Sequence, residues 1–243
     1  MEPHKPRNLL WDIESTSLNA TFGTILCIGY KWEGEKAPTV ISILDGKKKK
    51  SSMLDDKQVV RKFAEVFESA DYHSTWYGER FDLPMLRSRM IKHELAPLPP
   101  KPHLDLWKTA RYKFKLHSNR LMAWEQFLGL TEHKTAIDFD AWLNAAQGNK
   151  AAVAEVLDHC TKDVQVLEGV YNRLRPWMDV VPAYGLFSGE EGVCPSCGSA
   201  ATVRRGYKVA MTRMYAQFRC RDCGHWFRGC KALVTTQTRH GGM

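Results

Sequence analysis

Asp12 and Glu14 stand two residues apart in the run NLLWDIES. On a strand, side chains two apart leave the same face. Two carboxylates aimed together repel each other unless a cation lies between them, and an oxygen-rich site of that kind suits Mg2+ or Mn2+. Trp11 and Ile13 would then point to the opposite face, as core. The D-x-E spacing is frequent by chance, so its chemistry depends on what joins it. Asp82 lies in WYGERFDLPML at a strand-to-helix junction, where it could equally serve as a helix N-cap. Asp163 lies in HCTKDVQVLEGVY, close to the apolar pattern of a long helix, a place where an acid needs a partner or a metal. His159 precedes it by four residues and projects from the same side of that helix. A His–Asp pair on a helix is often a surface contact; the three other acids favour a reactive pair here. Asp105, in HLDL, reads as a cap or a supporting residue rather than a direct ligand.

A second set of residues suits a different metal. CPSCG and CRDCG contain the pairs Cys194/Cys197 and Cys220/Cys223, with 22 residues between the inner cysteines. Four thiolates at this spacing form a closed tetrahedral Zn2+ site, and with no open coordination position such a zinc is structural rather than catalytic. The seven cysteines are an odd total, and Cys27 and Cys160 are isolated, which argues against a disulfide framework. The intervening VRRGYKVAMTRMYAQFR alternates as a β-hairpin does. This part therefore reads as a zinc ribbon, a module of ~50 residues that needs its metal to fold. His225 and Cys230 are spare ligand candidates.

The charge is uneven. From Gly192 to Met243 nine basic residues accompany one acid, Asp222, whereas the first 191 residues hold 26 of each sign. A basic module on a neutral body suggests that the module meets a polyanion, most simply nucleic acid; a solubilising surface is the alternative. The expected contacts are Arg204, Arg205, Lys208, Arg219, Arg221, Trp226 and Arg228. Trp226, with Tyr207, Tyr215, Phe218 and Phe227, could stack on unpaired bases or supply the ribbon's small core.

These residues must be positioned by a larger body. The 243 residues, 44% hydrophobic and 26% charged, suffice for a medium domain plus a small one and for a sizeable core. No run approaches the ~18 apolar residues of a membrane span, and MEPHKPRN lacks the apolar stretch of a secretory signal. A cytoplasmic protein is expected, and extracellular, membrane and disordered classes are set aside. Apolar runs predict strands over 8–13, 25–32, 39–44, 72–77 and 103–106. Helical periodicity marks 58–70, 82–95, 120–130 and 150–175, with Pro84 tolerable in a first turn. The lysines of DGKKKKSS read as a solvated loop, and APLPPKPH forces extended chain. The segment 177–192 is too apolar for a flexible linker and is expected to pack on one of the domains.

The order of the motifs resembles the DEDD superfamily of 3′–5′ exonucleases, which have a ribonuclease H-like fold. DIES, YGERFDLP, HLDL, RLMAWEQFLGL and HCTKDV carry the resemblance over roughly residues 8–175, most strongly at FDLP and in the last helix. It implies that Asp12 and Glu14 form the first motif, Asp82 the second and Asp163 the third, and that these four hold two divalent ions. It also implies two-metal hydrolysis of a phosphodiester, in which the attacking water is activated and the leaving 3′-oxygen stabilised. Asp12 is then the expected shared ligand, and His159 can accept the proton of the attacking water. Two departures are visible. Tyr77 stands five residues before Asp82, where many relatives have Asn. His159 stands four before Asp163, which is the spacing of the tyrosine subgroup with the residue type of the histidine subgroup.

The expected architecture is α/β: a ribonuclease H-like mixed sheet flanked by helices over 1–178, an apolar connector over 179–191, and a zinc-ribbon β domain with a basic tail over 192–243. The expected activity is 3′–5′ exonucleolytic, on DNA rather than RNA, with two Mg2+ or Mn2+ ions and one structural Zn2+. A replication or recombination protein is the candidate protein partner. The competing readings are a nucleic-acid-binding or scaffold protein on an inactive nuclease fold and a structure-selective endonuclease.

Overall fold

The computed structural model describes residues 2–45, 55–130, 137 and 139–238. It divides into two compact units, Arg7–Leu174 and a second formed by Met1–Pro6 with Arg175–Met243. Among the described residues no helix is long and apolar enough to cross a membrane.

The first unit is built on a five-stranded sheet of β1 (Asn8–Ser15), β2 (Ile25–Trp32), β3 (Thr39–Ser42), β4 (Tyr72–Thr75) and β5 (His103–Asp105), in the order β3-β2-β1-β4-β5. β1 pairs antiparallel with β2 and parallel with β4, so the sheet is mixed. Its helices are α1 (Lys57–Glu68), α2 (Asp82–Lys92), α3 (Leu106–Lys113), α4 (Leu121–Leu128), α5 (Phe139–Ala146) and α6 (Lys150–Leu174). The two faces of β1 do different work, as the period of two requires. Trp11 is fully buried against Phe63 of α1, with ring centroids 4.9 Å apart. Asp12 and Glu14 leave the opposite face, which α6 covers.

The approach of α6 is fixed at its middle and towards its C-terminal end. Asp12 is in register with Gly29 of β2, and a Cβ on Gly29 would lie 2.7 Å from Cys160 Sγ and 3.0 Å from Val164 Cγ2. Further along the helix, Lys31 pairs with Glu168, Gly34 N donates to Glu168 Oε1 at 3.2 Å, and Tyr171 OH donates to Glu33 Oε2 at 2.9 Å. Across the sheet, buried Asp56 ties α2 to the start of β2. It accepts from Ile25 N (2.8 Å), from Arg89 Nε (2.8 Å) and Nη2 (2.7 Å), and from His93 Nε2 (2.5 Å). Burial alone would raise the Asp56 pKa, but these donors more than offset it and hold the carboxylate below its usual range.

Several elements end earlier than periodicity predicts, each for a local reason. β4 stops at Thr75 because Tyr77 adopts a left-handed φ of 67°. α2 stops at Lys92, just before Glu94 turns to φ 58°. α4 stops at Leu128, where Gly129 provides a left-handed C-cap. Leu106 opens α3 rather than closing β5, because Asp105 caps that helix by accepting from Trp107 N at 3.2 Å. The lysine run of DGKKKKSS lies outside the described residues.

The second unit holds β6 (Thr202–Ala210), β7 (Arg213–Cys220) and β8 (Trp226–Thr235) in an antiparallel sheet of order β6-β7-β8, one strand more than the expected hairpin. The division falls at Leu174/Arg175 rather than at 178, and the first six residues join the second unit, where His4 N donates to Phe187 O at 3.0 Å. The stretch from Arg175 onward is part of this unit. It contains a 3-10 helix (Arg175–Trp177) and a short α7 (Gly185–Ser188). Met178 is buried, the Arg175 guanidinium donates to the Ser196 carbonyl, Tyr184 N donates to Pro195 O at 2.9 Å, and His225 Nδ1 donates to Pro176 O at 2.9 Å.

Candidate active site and cysteine cluster

β1 and α6 bring four of the five expected catalytic residues to one place. His159 Nε2 lies 3.7 Å from Glu14 Oε1 and 3.8 Å from Asp163 Oδ2, somewhat beyond direct hydrogen bonds. One ligand atom each from Glu14, His159 and Asp163 falls within 4.8 Å of the others, and the same holds for Asp12, Glu14 and Cys160. Glu14 is thus common to both groups. The reason is that β1 runs on to Ser15, which puts Glu14 nearer the strand's end. His159 and Asp163 are both buried, and the ring of Trp142 on α5 meets the imidazole edge-on at 6.3 Å. The carboxylates of Glu14, of Asp12 on one side and of Asp163 on the other offer the oxygen ligands that suit Mg2+ or Mn2+, with the imidazole of His159 beside them.

These four residues line a cleft of about 730 Å3. Trp76, Tyr77, Phe81 and Trp107 supply aromatic walls, and Arg120 adds a cation. Tyr77 packs edge-to-face on Trp107 at 5.0 Å. Its left-handed backbone is held by Asp105, whose Oδ1 accepts from Tyr77 N (2.9 Å) and whose Oδ2 accepts from Glu79 N (3.1 Å). Asp105 therefore caps α3 and clamps the β4–α2 loop at once, the supporting position expected for it.

Asp82 stands apart from the two groups. It is the first residue of α2, with Phe81 at the N-cap, and so is not the cap. Its side chain is 1% exposed and Oδ1 accepts from Ile13 N at 3.1 Å, between Asp12 and Glu14 in sequence. Burial, reinforced by the charge of Asp12, pushes its carboxyl well above the usual range, and the Ile13 amide only partly offsets this. A cation held by Asp12 would reverse the second of these influences.

In the second unit, Cys194 Sγ lies 3.7 Å from Cys223 Sγ, and Cys197 Sγ lies 3.7 Å from Cys220 Sγ. Metal–sulfur bonds of ~2.3 Å in a tetrahedron place sulfurs roughly 3.8 Å apart, so the spacing fits Zn2+. All four sulfurs are within 4.8 Å of one another. His225 is engaged with Pro176 and Cys230 is exposed, so neither spare candidate belongs to the cluster. Arg204, Arg205, Lys208, Arg219, Arg221, Trp226 and Arg228 are all exposed on this unit.

A mixed sheet of this order, with acids on its central strand and on its last long helix, defines a class. The family model for the RNase_H superfamily (RNase_H_2) matches residues 9–175, and the chain belongs to that superfamily. Among solved structures, the family B DNA polymerase from the hyperthermophilic archaeon Pyrobaculum calidifontis is similar to it, with a TM-score of 0.56 and 14% identity. The match covers 88% of this chain and 34% of the polymerase chain, so the chain spans about a third of that protein's length. At this identity the likeness concerns the fold. No curated protein matches the chain. The fold is thus ribonuclease H-like, with a small C-terminal unit whose cysteine cluster is consistent with zinc binding, and superfamily membership supports a nuclease-type function on nucleic acid.

Sequence reasoning missed Cys160 beside Asp12 and Glu14, and the aromatic cleft walls. Cys160 lies one residue after His159, and only its position over Gly29 brings its sulfur to the carboxylates. Trp76, Tyr77 and Trp107 carry no spacing signal, because they come from the β4–α2 loop and the start of α3, segments about thirty residues apart that Asp105 and the Tyr77–Trp107 contact bring together.

Proposed function

We propose that the chain is a two-metal-dependent 3′–5′ exonuclease that hydrolyses phosphodiester bonds, with DNA as the favoured substrate. The observation that carries this reading is the Glu14–His159–Asp163 group, joined by Asp12, in an aromatic-walled cleft. Asp12, Glu14 and Asp163 would hold two Mg2+ or Mn2+ ions, which supply Lewis-acid activation of water and charge stabilisation at the leaving oxygen. Asp82 fixes the Ile13 amide of β1, close enough to Asp12 to feel its charge. His159 presents Nε2 to the same space and accepts a proton from the attacking water. Trp76, Tyr77 and Trp107 offer ring faces and edges to unpaired bases, and Arg120 offers charge to a phosphate. The 3′–5′ direction rests on the motif resemblance. The four cysteines would hold one structural Zn2+, and the basic residues around them would aid substrate binding.

The test is hydrolysis of labelled single-stranded and duplex DNA and RNA, each with free or blocked 3′ and 5′ ends, in Mg2+ or Mn2+. Stepwise loss of mononucleotides from a free 3′ end, abolished in Asp163→Asn, is expected. Cleavage of substrates blocked at both ends would replace the reading with an endonuclease. No cleavage of any of them would leave a binding protein on a nuclease fold.

A further inference from the structure

The second unit contains a groove of about 730 Å3 that the nuclease reading does not use. One wall is the sheet, with Lys208 on β6 and Trp226, Phe227 and Arg228 on β8. The other comes from the segment before the first cysteine pair, including Val181, and from Pro195. The groove is preformed, because the contacts of Arg175 with Ser196, Tyr184 with Pro195 and His225 with Pro176 pin that segment to the ribbon.

We infer that this groove binds an unpaired nucleic-acid strand, with a base stacked against Trp226 and the flanking phosphates neutralised by Lys208, Arg219 and Arg228. The inference rests on the reading of the chain as acting on nucleic acid, and it specifies how the basic unit would take part.

Three observations favour this occupant. First, the charge is one-sided: nine basic residues accompany a single acid from Gly192 to Met243, and Asp179 is the one carboxylate lining the groove among the described residues. A polyanion complements that surface. Second, cations and rings are interleaved. Trp226 is in register with Arg219, whose guanidinium lies 5.9 Å from the indole centroid. Arg228 is in register with Gln217 and stacks on Tyr215 at 3.8 Å. The Arg219–Trp226 stack keeps an exposed π-face for a base beside a charge for its phosphate, and Arg228, stacked on buried Tyr215, offers its guanidinium. Third, Trp226 is half exposed although Phe218 and Phe227 pack on each other, stacked at 5.5 Å. The ribbon's small core is thus supplied by other rings, and the indole is free for a ligand. A duplex keeps its bases stacked on one another and could meet this surface only through phosphate, which would leave the indole and the apolar wall unused.

The test is equilibrium binding of the full chain, without added divalent ions and without chelator, to labelled oligothymidylate, an abasic oligonucleotide of equal length, and a blunt duplex. The wild type is expected to bind oligothymidylate more tightly than the abasic strand or the duplex. Trp226→Ala should weaken oligothymidylate binding roughly 5- to 150-fold while leaving the abasic affinity and the salt slope unchanged. Trp226→Phe should recover most of the loss. Lys208→Ala and Arg228→Ala should each reduce the slope of log K against log salt by about one. Zinc content and circular dichroism identify a misfolded Trp226→Ala chain, in which case Trp226→Phe against Trp226→Leu carries the comparison. Equal binding of oligothymidylate and abasic strand, or an unchanged affinity in the folded Trp226 variants, overturns the inference. Tighter binding of the duplex overturns it in favour of phosphate contact alone. Hydrolysis by Asp12→Ala is scored separately: if it persists, the assigned active site falls while the groove stands, and an inert Trp226 with an inactive Asp12→Ala chain gives the converse.

Discussion

Cys160 of α6 rests directly on Gly29 of β2, so closely that a Cβ on the glycine would lie 2.7 Å from the sulfur. Gly29 is also the register partner of Asp12. One absent side chain therefore sets how near α6, with His159 and Asp163, comes to the carboxylates of β1.

Gly29→Ala should push α6 away from β1. Overpacking of this kind costs about 1–3 kcal/mol, visible as a lower urea midpoint. Hydrolysis should fall further than stability, because His159 and Asp163 move off Glu14. Adding Cys160→Ala makes room for the new methyl and should recover part of both. A double variant no better than Gly29→Ala would show that the contact is not what positions the helix.

The metal ligands should be separable from the fold. Asp12→Ala and Asp163→Ala should abolish hydrolysis while the chain stays folded, since each removes one of several mutually repelling acids from the ion-free site. Mn2+ binding followed by electron paramagnetic resonance should weaken in both. Hydrolysis at the wild-type rate in either variant rules out the site.

His159 should account for loss of activity on the acid side, because a protonated imidazole cannot accept a proton. His159→Ala should reduce turnover by on the order of 10²–10⁴ with Mn2+ affinity little changed. The pH profile of His159→Asn decides between a base and a packing role. A near-normal rate with the same acid limb would leave the histidine only a positioning part.

Acid should also weaken the fold through a pair of buried histidines. His73 and His103 stack at 4.2 Å beneath the sheet, and His73 Nδ1 accepts from Trp11 Nε1 at 3.2 Å, which requires a neutral ring. Burial, aided by the charge of His103, pushes His73 down to about 2; burial, partly offset by Glu79, pushes His103 down to about 4. The unfolded chain takes up these protons near ~6.5 and the folded chain does not, so stability is full above that pH and declines as pH falls below it. The His103 contribution stops changing near pH 4, and that of His73 continues lower. The loss at pH 5 is on the order of 2 kcal/mol per histidine, measurable by urea unfolding at a series of pH values. His103→Gln should flatten the dependence, and an unaltered slope would refute the assignment.

Zinc should bind at one ion per chain and should be needed by the second unit alone. Cys197→Ala should release it and expose the remaining thiols to a thiol reagent, while the pH and urea behaviour of the first unit is retained. Unreactive thiols in that variant would mean that the strands hold without metal.

The parts of this protein legible in the sequence are those set by local covalent geometry. The strand period of two puts Asp12 and Glu14 on one face, helical spacing puts His159 over Asp163, and the two C-x-x-C pairs define a four-sulfur cluster. β2 was readable end to end from its apolar run, and β1, β3, β4, β5, α1, α2, α4 and α6 to within a few residues, whereas α3, α5, α7 and β8 were not read. The tertiary structure decided what depends on approach between distant segments. It placed Glu14 between Asp12 and the His159–Asp163 pair, drew Cys160 to the carboxylates, and turned Asp82 toward the Ile13 amide. It also assembled the aromatic cleft around Tyr77 through Asp105, and attached the first six residues to the second unit. The physical reason is that periodicity fixes the direction of a side chain but not its distance from the next element. That distance follows from strand register and close packing, and here it rests on a glycine more than a hundred residues before the helix that it admits.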